Sequence, residues 1–332
     1  LPLLDIGHEV IEFQYDLTQT FRNLDASQPR QAAFIRENRP RVTDELLRQI
    51  AAVHREKPVN LFFSYFYDPC ILPEGIDAIR VMGIKTVNWY CNGSYQLHLV
   101  REISPHYDWC LVPERFRLQD YAAMGARPIY CQEAANPTIY KPHDLPREFD
   151  VTFVGQAYGE RPLLIRYLVE NGIRVHAWGH GWKKPDARWM PRDTCEAILA
   201  IPEELRNDAL PDDELVKMYS RSKINLGFST CGDTHLAGKE GRIVQVRLRD
   251  FEVPMSGGFY LVERFEELGD FFTFGCEIEG YTTREELLEK IRYYLAHGDE
   301  REAIRAAGHV RARREHTWQR RFSAAFAEMG LA

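Results

Sequence analysis

Residues 136–155 read Asn136-Pro137-Thr138-Ile139-Tyr140-Lys141-Pro142-His143-Asp144-Leu145-Pro146-Arg147-Glu148-Phe149-Asp150-Val151-Thr152-Phe153-Val154-Gly155. Three prolines fall in the first eleven of these residues, a linker composition. Asp150 to Gly155 then reads as a buried strand entering a glycine turn. A fresh strand after a proline-rich break divides the chain in two, near residue 148.

On both sides of the break, short apolar runs alternate with helical patterns. Before it, strands are predicted at 8–13, 59–63, 85–89, 108–112 and 128–131, and helices at 42–55, 75–82 and 115–124. After it come a helix at 162–171 with Gly172 suited to its C-terminal cap, a strand at 173–177, a helix at 212–222 and a strand at 223–227. A helical pattern at 241–250, a strand at 259–262 and helices at 283–296, 299–311 and 317–329 complete the chain. Such alternation predicts parallel sheets wrapped by helices. The continuous apolar character of the strands fits burial on both faces. Ligands in such sheets bind beyond the carboxyl ends of the strands, so a cleft between the two α/β domains is the default site. The chain opens in what reads as the end of a helix, Leu1 to Gly7, so the first strand of the first domain is expected to precede it.

The 332 residues correspond to about two domains at roughly 150 residues each. A hydrophobic content of 45% and a charged content of 27% indicate a globular protein with a core and exclude a disordered chain. The balance of 42 Lys+Arg against 49 Asp+Glu leaves a net charge of −7, which argues against nucleic acid as a partner. The 16 Tyr, 18 Phe and 6 Trp fit either thick cores or flat platforms for sugar rings and bases. The seven cysteines are odd in number, widely spaced and without a C-x-x-C pair, as expected of reduced thiols. With no apolar run of about 20 residues and no signal-peptide pattern, a cytoplasmic location without a transmembrane segment is expected.

The most informative block is Arg249-Asp250-Phe251-Glu252-Val253-Pro254-Met255-Ser256-Gly257-Gly258-Phe259-Tyr260-Leu261-Val262. A carboxylate on a helix, paired glycines and a buried strand suit a nucleotide. Gly257 and Gly258 would let backbone N–H groups approach phosphate oxygens, and Glu252 could accept both hydrogens of a ribose diol. Taken alone, the block fits a surface glutamate and a tight turn equally well.

The chain continues with Glu277-Ile278, Tyr281, Arg284-Glu285-Glu286-Leu287, Ile291-Arg292-Tyr293-Tyr294-Leu295, Ala307-Gly308 and His316-Thr317-Trp318-Gln319-Arg320-Arg321. This run resembles the C-terminal segment of the CgeB-like spore-maturation glycosyltransferases, a group-1 branch of the GT-B enzymes. The match covers about residues 211–325. It extends to Asp150–Gly155 with Arg161 and to Gly179-His180-Gly181-Trp182, and it is loose over 8–140.

The resemblance implies a GT-B α/β fold, with two Rossmann-like doubly wound domains facing a cleft. Residues 1–148 would form the acceptor side and 149–315 the donor-binding domain, and a helix at 316–332 would cross back to the first. It implies a hexosyltransferase-type enzyme that moves a sugar from a nucleoside-diphosphate sugar to a hydroxyl of a glycan, protein or small molecule, with retention. In related enzymes two glutamates stand eight positions apart and the second binds the donor ribose. Glu252 matches the second; the first position falls on Val244, and Glu240 is a possible substitute.

The remaining expectations concern single residues. Gly155 would let the backbone approach the donor, and Arg161 would neutralise the departing diphosphate. Arg249 would bind phosphate or pair with Glu252; Lys239 and Arg242 are further cations for the same anion. Gly181 and Trp182 lie at a strand's carboxyl edge, where Trp182 would stack on a base or sugar or else cover a core edge. Asn92 would touch sugar or acceptor, or serve as a turn residue, and Asp68 is a conceivable base. His176 and His180 span a strand and its turn, which does not suit a metal, and His316 and Arg320 read as structural. The absence of a D-x-D motif fits a metal-independent site with no cofactor, in which Arg and backbone N–H groups replace the cation. Two other functions share these features: a nucleotide-sugar epimerase or hydrolase of the same fold, and a non-catalytic nucleotide-sugar-binding protein. No G-x-G-x-x-G follows a strand, which argues against a nicotinamide dehydrogenase.

Overall fold

The structure is a computed structural model that describes residues 2–20, 24, 26–188, 190–231 and 242–331. The chain forms two compact units, residues 1–132 with 321–332, and residues 133–320.

In the first unit, β1 (Leu61–Ser64), β2 (Lys85–Trp89), β3 (Trp109–Val112) and β4 (Pro128–Tyr130) form a parallel sheet in the order β1-β2-β3-β4. Consecutive strands that pair in parallel must be joined by crossovers. The helices Pro73–Val81 and Leu118–Ala123 lie in two of these connections. One core gathers Leu46, Ile71, Ile76, Ile79, Tyr107 and Val112. A second packs Phe326 and Met329 of the last helix on Val87, Leu111 and Ile129.

Two expectations fail in this unit. Residues 8–13 form no strand. They are held by side chains instead, through the Glu9–Lys57 ion pair and through Gln49, which bonds to Gln14. The helix expected at 42–55 runs from Pro29 to Glu56 and passes through Pro40. Proline at the start of a helix is favourable, whereas Pro40 deletes one ladder bond and mimics a break. Burial of Ile35, Val42 and Leu46 on either side of Pro40 carries the helix through.

The second unit contains β5 (Phe149–Val154), β6 (Val175–Trp178), β7 (Arg206–Asn207), β8 (Ser222–Gly227), β9 (Tyr260–Glu263) and β10 (Glu279–Tyr281). They form a parallel sheet in the order β10-β9-β8-β5-β6-β7. The strand order reverses between β5 and β8, which makes the carboxyl ends of these two strands the natural ligand position. Phe153, Ile165, Leu168, Ile224, Phe259 and Ile291 fill the core between sheet and helices.

The proline-rich segment belongs to this second unit rather than standing free between two domains. The Tyr140 hydroxyl bonds Glu252, His143 N–H donates to Ser220 Oγ at 3.0 Å, and Arg147 pairs with Glu302. The helical pattern at 241–250 also resolves differently. The helix is Leu248–Met255, preceded by an isolated antiparallel bridge between Thr230 and Val244; Gly241 lies outside the described residues. No helix among the described residues is long and apolar enough to cross a membrane.

The helix Gly298–Glu315 meets the rest of the unit at Gly308, where a Cβ would stand 2.1 Å from the carbonyl oxygen of Glu277. Gly308→Ala should therefore lower stability by about 1–3 kcal/mol, although alanine has the better helix propensity by about 1 kcal/mol. A thermal melt with an unchanged or raised midpoint would contradict this packing.

Candidate functional site

The carboxyl edge of the second sheet is built around the Gly155 peptide. Its N–H donates to Trp178 O at 2.7 Å and its carbonyl accepts the Trp182 indole N–H at 2.7 Å. Ala157 N–H donates to His180 O at 2.9 Å, so the turns after β5 and β6 are laced together. Gly179 has φ of +145°, and a Cβ there would lie 2.3 Å from Gly155 O. No other residue fits this approach.

Trp182 is fully buried, with its ring edge-on to Phe153 at 6.0 Å. It has no face free to stack on a base, which corrects that expectation. Gly181 likewise belongs to the turn: a Cβ on it would meet Met190 Cε at 2.4 Å.

Three guanidinium groups gather at this edge. Arg161, at the start of the helix Arg161–Glu170, donates to Gln156 O at 3.0 Å and Tyr158 Oη at 2.8 Å. Arg161 and Arg249 lie over the Phe153 ring at 5.4 and 5.3 Å. An Arg249 Nη lies 2.6 Å from where a Gly155 Cβ would be, so the glycine makes room for the guanidinium. Arg247 grips Thr230 O, three residues past the end of β8. The buried Nε atoms of all three have no hydrogen-bond partner, and none of the three ion-pairs with a carboxylate among the described residues. Burial, then the neighbouring Arg247, pushes the Arg161 pKa below its ordinary value. Arg161 is buried, and Arg247 and Arg249 are half-buried. Burial lowers the Arg249 pKa, but Tyr219, Tyr260, Glu252 and Asp250 together raise it above its ordinary value. The orphaned Nε–H groups are costly unless an acceptor meets them.

Glu252 lies one turn into the helix Leu248–Met255, half-buried, with its carboxylate accepting the Tyr140 O–H. Burial raises its pKa, while the Tyr140 bond and the charge of Arg249 oppose the rise. Asp250 secures the helix start by accepting Arg247 N–H at 2.9 Å and Tyr260 O–H at 2.7 Å.

Gly257 and Gly258 do not join this group. Their N–H groups donate to Pro254 O and Val253 O, both at 2.9 Å, and close the helix end. The helix returns against the strand direction, so its start lies at the carboxyl edge and its end, just before β9, at the opposite edge. The expected phosphate contact through these glycines is therefore corrected. Arg242 already pairs with Glu160 and Glu263, and Lys239 and Glu240 lie outside the described residues.

In the first unit, Asn92 follows β2 and donates to Tyr65 Oη at 3.3 Å. Asp68 accepts the N–H groups of Glu102 at 3.2 Å and Ile103 at 3.1 Å, one on each carboxylate oxygen. It clamps a loop, which corrects its expected role as a free base. Among the described residues no group of three His, Cys, Asp or Glu could hold a metal ion; His176 stacks on Trp178. Arg247 and Tyr140 went unmarked in the sequence. The Arg247-x-Arg249 spacing was a visible signal, whereas nothing local pairs Tyr140 with Glu252.

The glycosyl transferase-like family model matches residues 161–327, half of the chain. The chain belongs to this family. A comparison with curated proteins gave no match. Among solved structures, the chain is similar to a glycosyltransferase from Rickettsia africae ESF-5 (10% identity, 92% of this chain, 82% of that one, TM-score 0.58). It is also similar to sucrose-phosphate synthase (tll1590) from Thermosynechococcus elongatus (11% identity, 87% and 78%, TM-score 0.57). A third is Anabaena Alr3699/HepE in complex with UDP (9% identity, 86% and 82%, TM-score 0.57). The α/β architecture with two parallel sheets is thus the GT-B fold of the glycosyltransferases.

Asp68 makes the family member pH-sensitive in a definite direction. Burial pushes its pKa up from 3.8 to about 7, so the folded protein holds this proton more tightly than the unfolded chain. The resulting stability is present below the unfolded pKa and is lost as pH rises through about 7. Denaturant titrations at about pH 5.5 and about pH 8.5 should show lower stability at the higher pH, with a flatter dependence in Asp68→Asn. Equal slopes in the two proteins would refute the assignment.

Proposed function

We propose that this chain transfers a sugar from a nucleoside-diphosphate sugar to an acceptor hydroxyl, with the donor held by the second unit. The single observation that carries this reading is the cluster of Arg161, Arg247 and Arg249, whose buried Nε–H groups have no hydrogen-bond partner. A diphosphate supplies the missing negative charge and acceptor oxygens. Glu252, near Arg249 and one turn into the same helix, is suited to a ribose diol next to that diphosphate. A structural neighbour whose complex contains UDP supports a nucleotide as ligand.

The chemistry follows from the charges. The bond between the sugar C1 and the diphosphate oxygen breaks, and both electrons leave with the diphosphate. The arginines stabilise this developing charge without a metal ion. The acceptor oxygen forms the new bond to C1 and its proton passes to the departing phosphate oxygen. That route needs no side-chain base, in keeping with the engagement of Asp68 elsewhere. The CgeB-like, group-1 resemblance adds retention of configuration to the proposal. Val244, which carries no carboxylate, favours a second reading as a protein that binds nucleotide sugar without transferring it.

Titration calorimetry with UDP, GDP, dTDP and ADP in the presence of EDTA should reveal binding of at least one nucleotide. Arg161→Gln and Arg249→Gln should each weaken it about tenfold or more, since charge-assisted contacts contribute about 1.5–3 kcal/mol. Glu252→Ala should weaken it through loss of the ribose contact. Absence of binding to all four, or equal binding by all variants, would overturn the reading. Release of labelled sugar onto acceptors separates transfer from binding alone, and a product epimer without acceptor would indicate an epimerase.

A further inference from the structure

The proline-rich segment meets the helix Leu248–Met255 and its end at two points. Its start is wound into a turn on Asn136, which is buried. Tyr140 N–H donates to Asn136 O at 2.8 Å, and Thr138 N–H and Oγ1 donate to Asn136 Oδ1 at 3.0 and 2.8 Å. That turn delivers the Tyr140 hydroxyl to the Glu252 carboxylate. Two residues on, Pro142 lies against the helix end: a Cβ at Gly257 would stand 3.0 Å from Pro142 Cγ. His143 N–H then donates to Ser220 Oγ at 3.0 Å, and Ser220 Oγ donates to Ser256 O at 3.2 Å. Prolines 137 and 142 fix φ on either side of Tyr140, so the tyrosine stands on a stiff support anchored before and after it.

Tyr140 and Glu252 are both half-buried, so the pair borders open space instead of lying inside the core. A glutamate side chain on a helix surface is free to rotate, and ordering it costs about 1.5–2 kcal/mol. A ribose diol needs a carboxylate that is both aimed and ionised, because two neighbouring hydroxyls donate to it together. The Tyr140 hydroxyl meets both needs. It takes one of the roughly four acceptor positions of the carboxylate and leaves the others open. Its hydrogen bond also favours the charged form, against the burial that raises the Glu252 pKa. Burial, with Glu252 beside it, raises the Tyr140 pKa far above its ordinary value, so the phenol keeps its proton and stays a hydrogen-bond donor.

We propose that Tyr140 is a positioning residue for the donor nucleotide: its hydroxyl holds the Glu252 carboxylate in the direction that receives the ribose diol. This rests on the donor reading of the site. It gives the proline-rich segment, whose composition alone reads as a linker, a part in nucleotide recognition.

The test compares UDP, GDP and ADP with their 2′,3′-dideoxy analogues, which keep the diphosphate and lack the diol. The proteins are wild type, Tyr140→Phe, Glu252→Ala and the double variant, with thermal melts confirming that each folds. In Tyr140→Phe the affinity for the nucleotide that binds wild type should fall about tenfold, while that for its dideoxy analogue stays within about twofold. Once Glu252 is alanine, Tyr140→Phe should cost less than about twofold, since the tyrosine acts through the carboxylate. Equal losses for nucleotide and analogue, no loss for either, or additive losses in the double variant would overturn the role of Tyr140 while leaving the donor site standing. A wild type that binds a nucleotide and its dideoxy analogue equally would overturn the ribose contact of Glu252 and the role of Tyr140 with it. Failure of the wild type to bind any of the three nucleotides would overturn the donor reading as well.

Discussion

The Gly155 peptide is bonded on both sides, its N–H to Trp178 O and its carbonyl to the Trp182 indole, and the carboxyl edge of the second sheet is arranged about it. Two parallel neighbours, β5 and β6, bring their following turns side by side. That proximity leaves no room for a Cβ at Gly179 and draws Trp182 under the turn. At Gly155 itself the lack of a side chain admits the Arg249 guanidinium. Two residues earlier on β5, the ring of Phe153 carries both Arg161 and Arg249.

Direction along the helix Leu248–Met255 then sorts the chemistry of one short block into two places. Its first turn, with Arg249 and the Asp250 lock to Tyr260, lies at the carboxyl edge. Its last turn hands its carbonyls to Gly257 and Gly258 at the other edge. The same fourteen residues thus hold a start that carries the arginine and a stop that closes the helix. The arginines differ in their partners: Arg242 is ion-paired with Glu160 and Glu263, whereas Arg161, Arg247 and Arg249 keep buried Nε–H groups without a partner. In a site of low dielectric this difference decides which arginines are available to an anion.

Much of the fold was legible in the residues. Strand 150–155 is announced by a continuous apolar run ending at a glycine, and β2, β3 and β8 are signalled in the same way. Residues 8–13 alternate similarly but find no strand partner, and pairing is a property of two segments, not one. Pro40 hid the first half of a long helix because its local penalty is visible in sequence and the burial that outweighs it is not. Arg161 and Arg249, singled out by their positions relative to glycine and helix, are brought together over the Phe153 ring. Trp182 has two readings in the sequence because an aromatic at a strand end looks the same whether it faces a ligand or the core, and its burial decides for the core.

What the sequence determined by itself is therefore the alternation of strand and helix, the two-part division and the chemical character of the block around Glu252, since these depend on neighbours along the chain. Only the tertiary structure decided that Tyr140 from the proline-rich segment bonds Glu252 and that Arg247 joins Arg161 and Arg249. Those contacts join segments that a parallel sheet brings together through crossovers, and hydrophobic spacing carries no record of which loop ends meet.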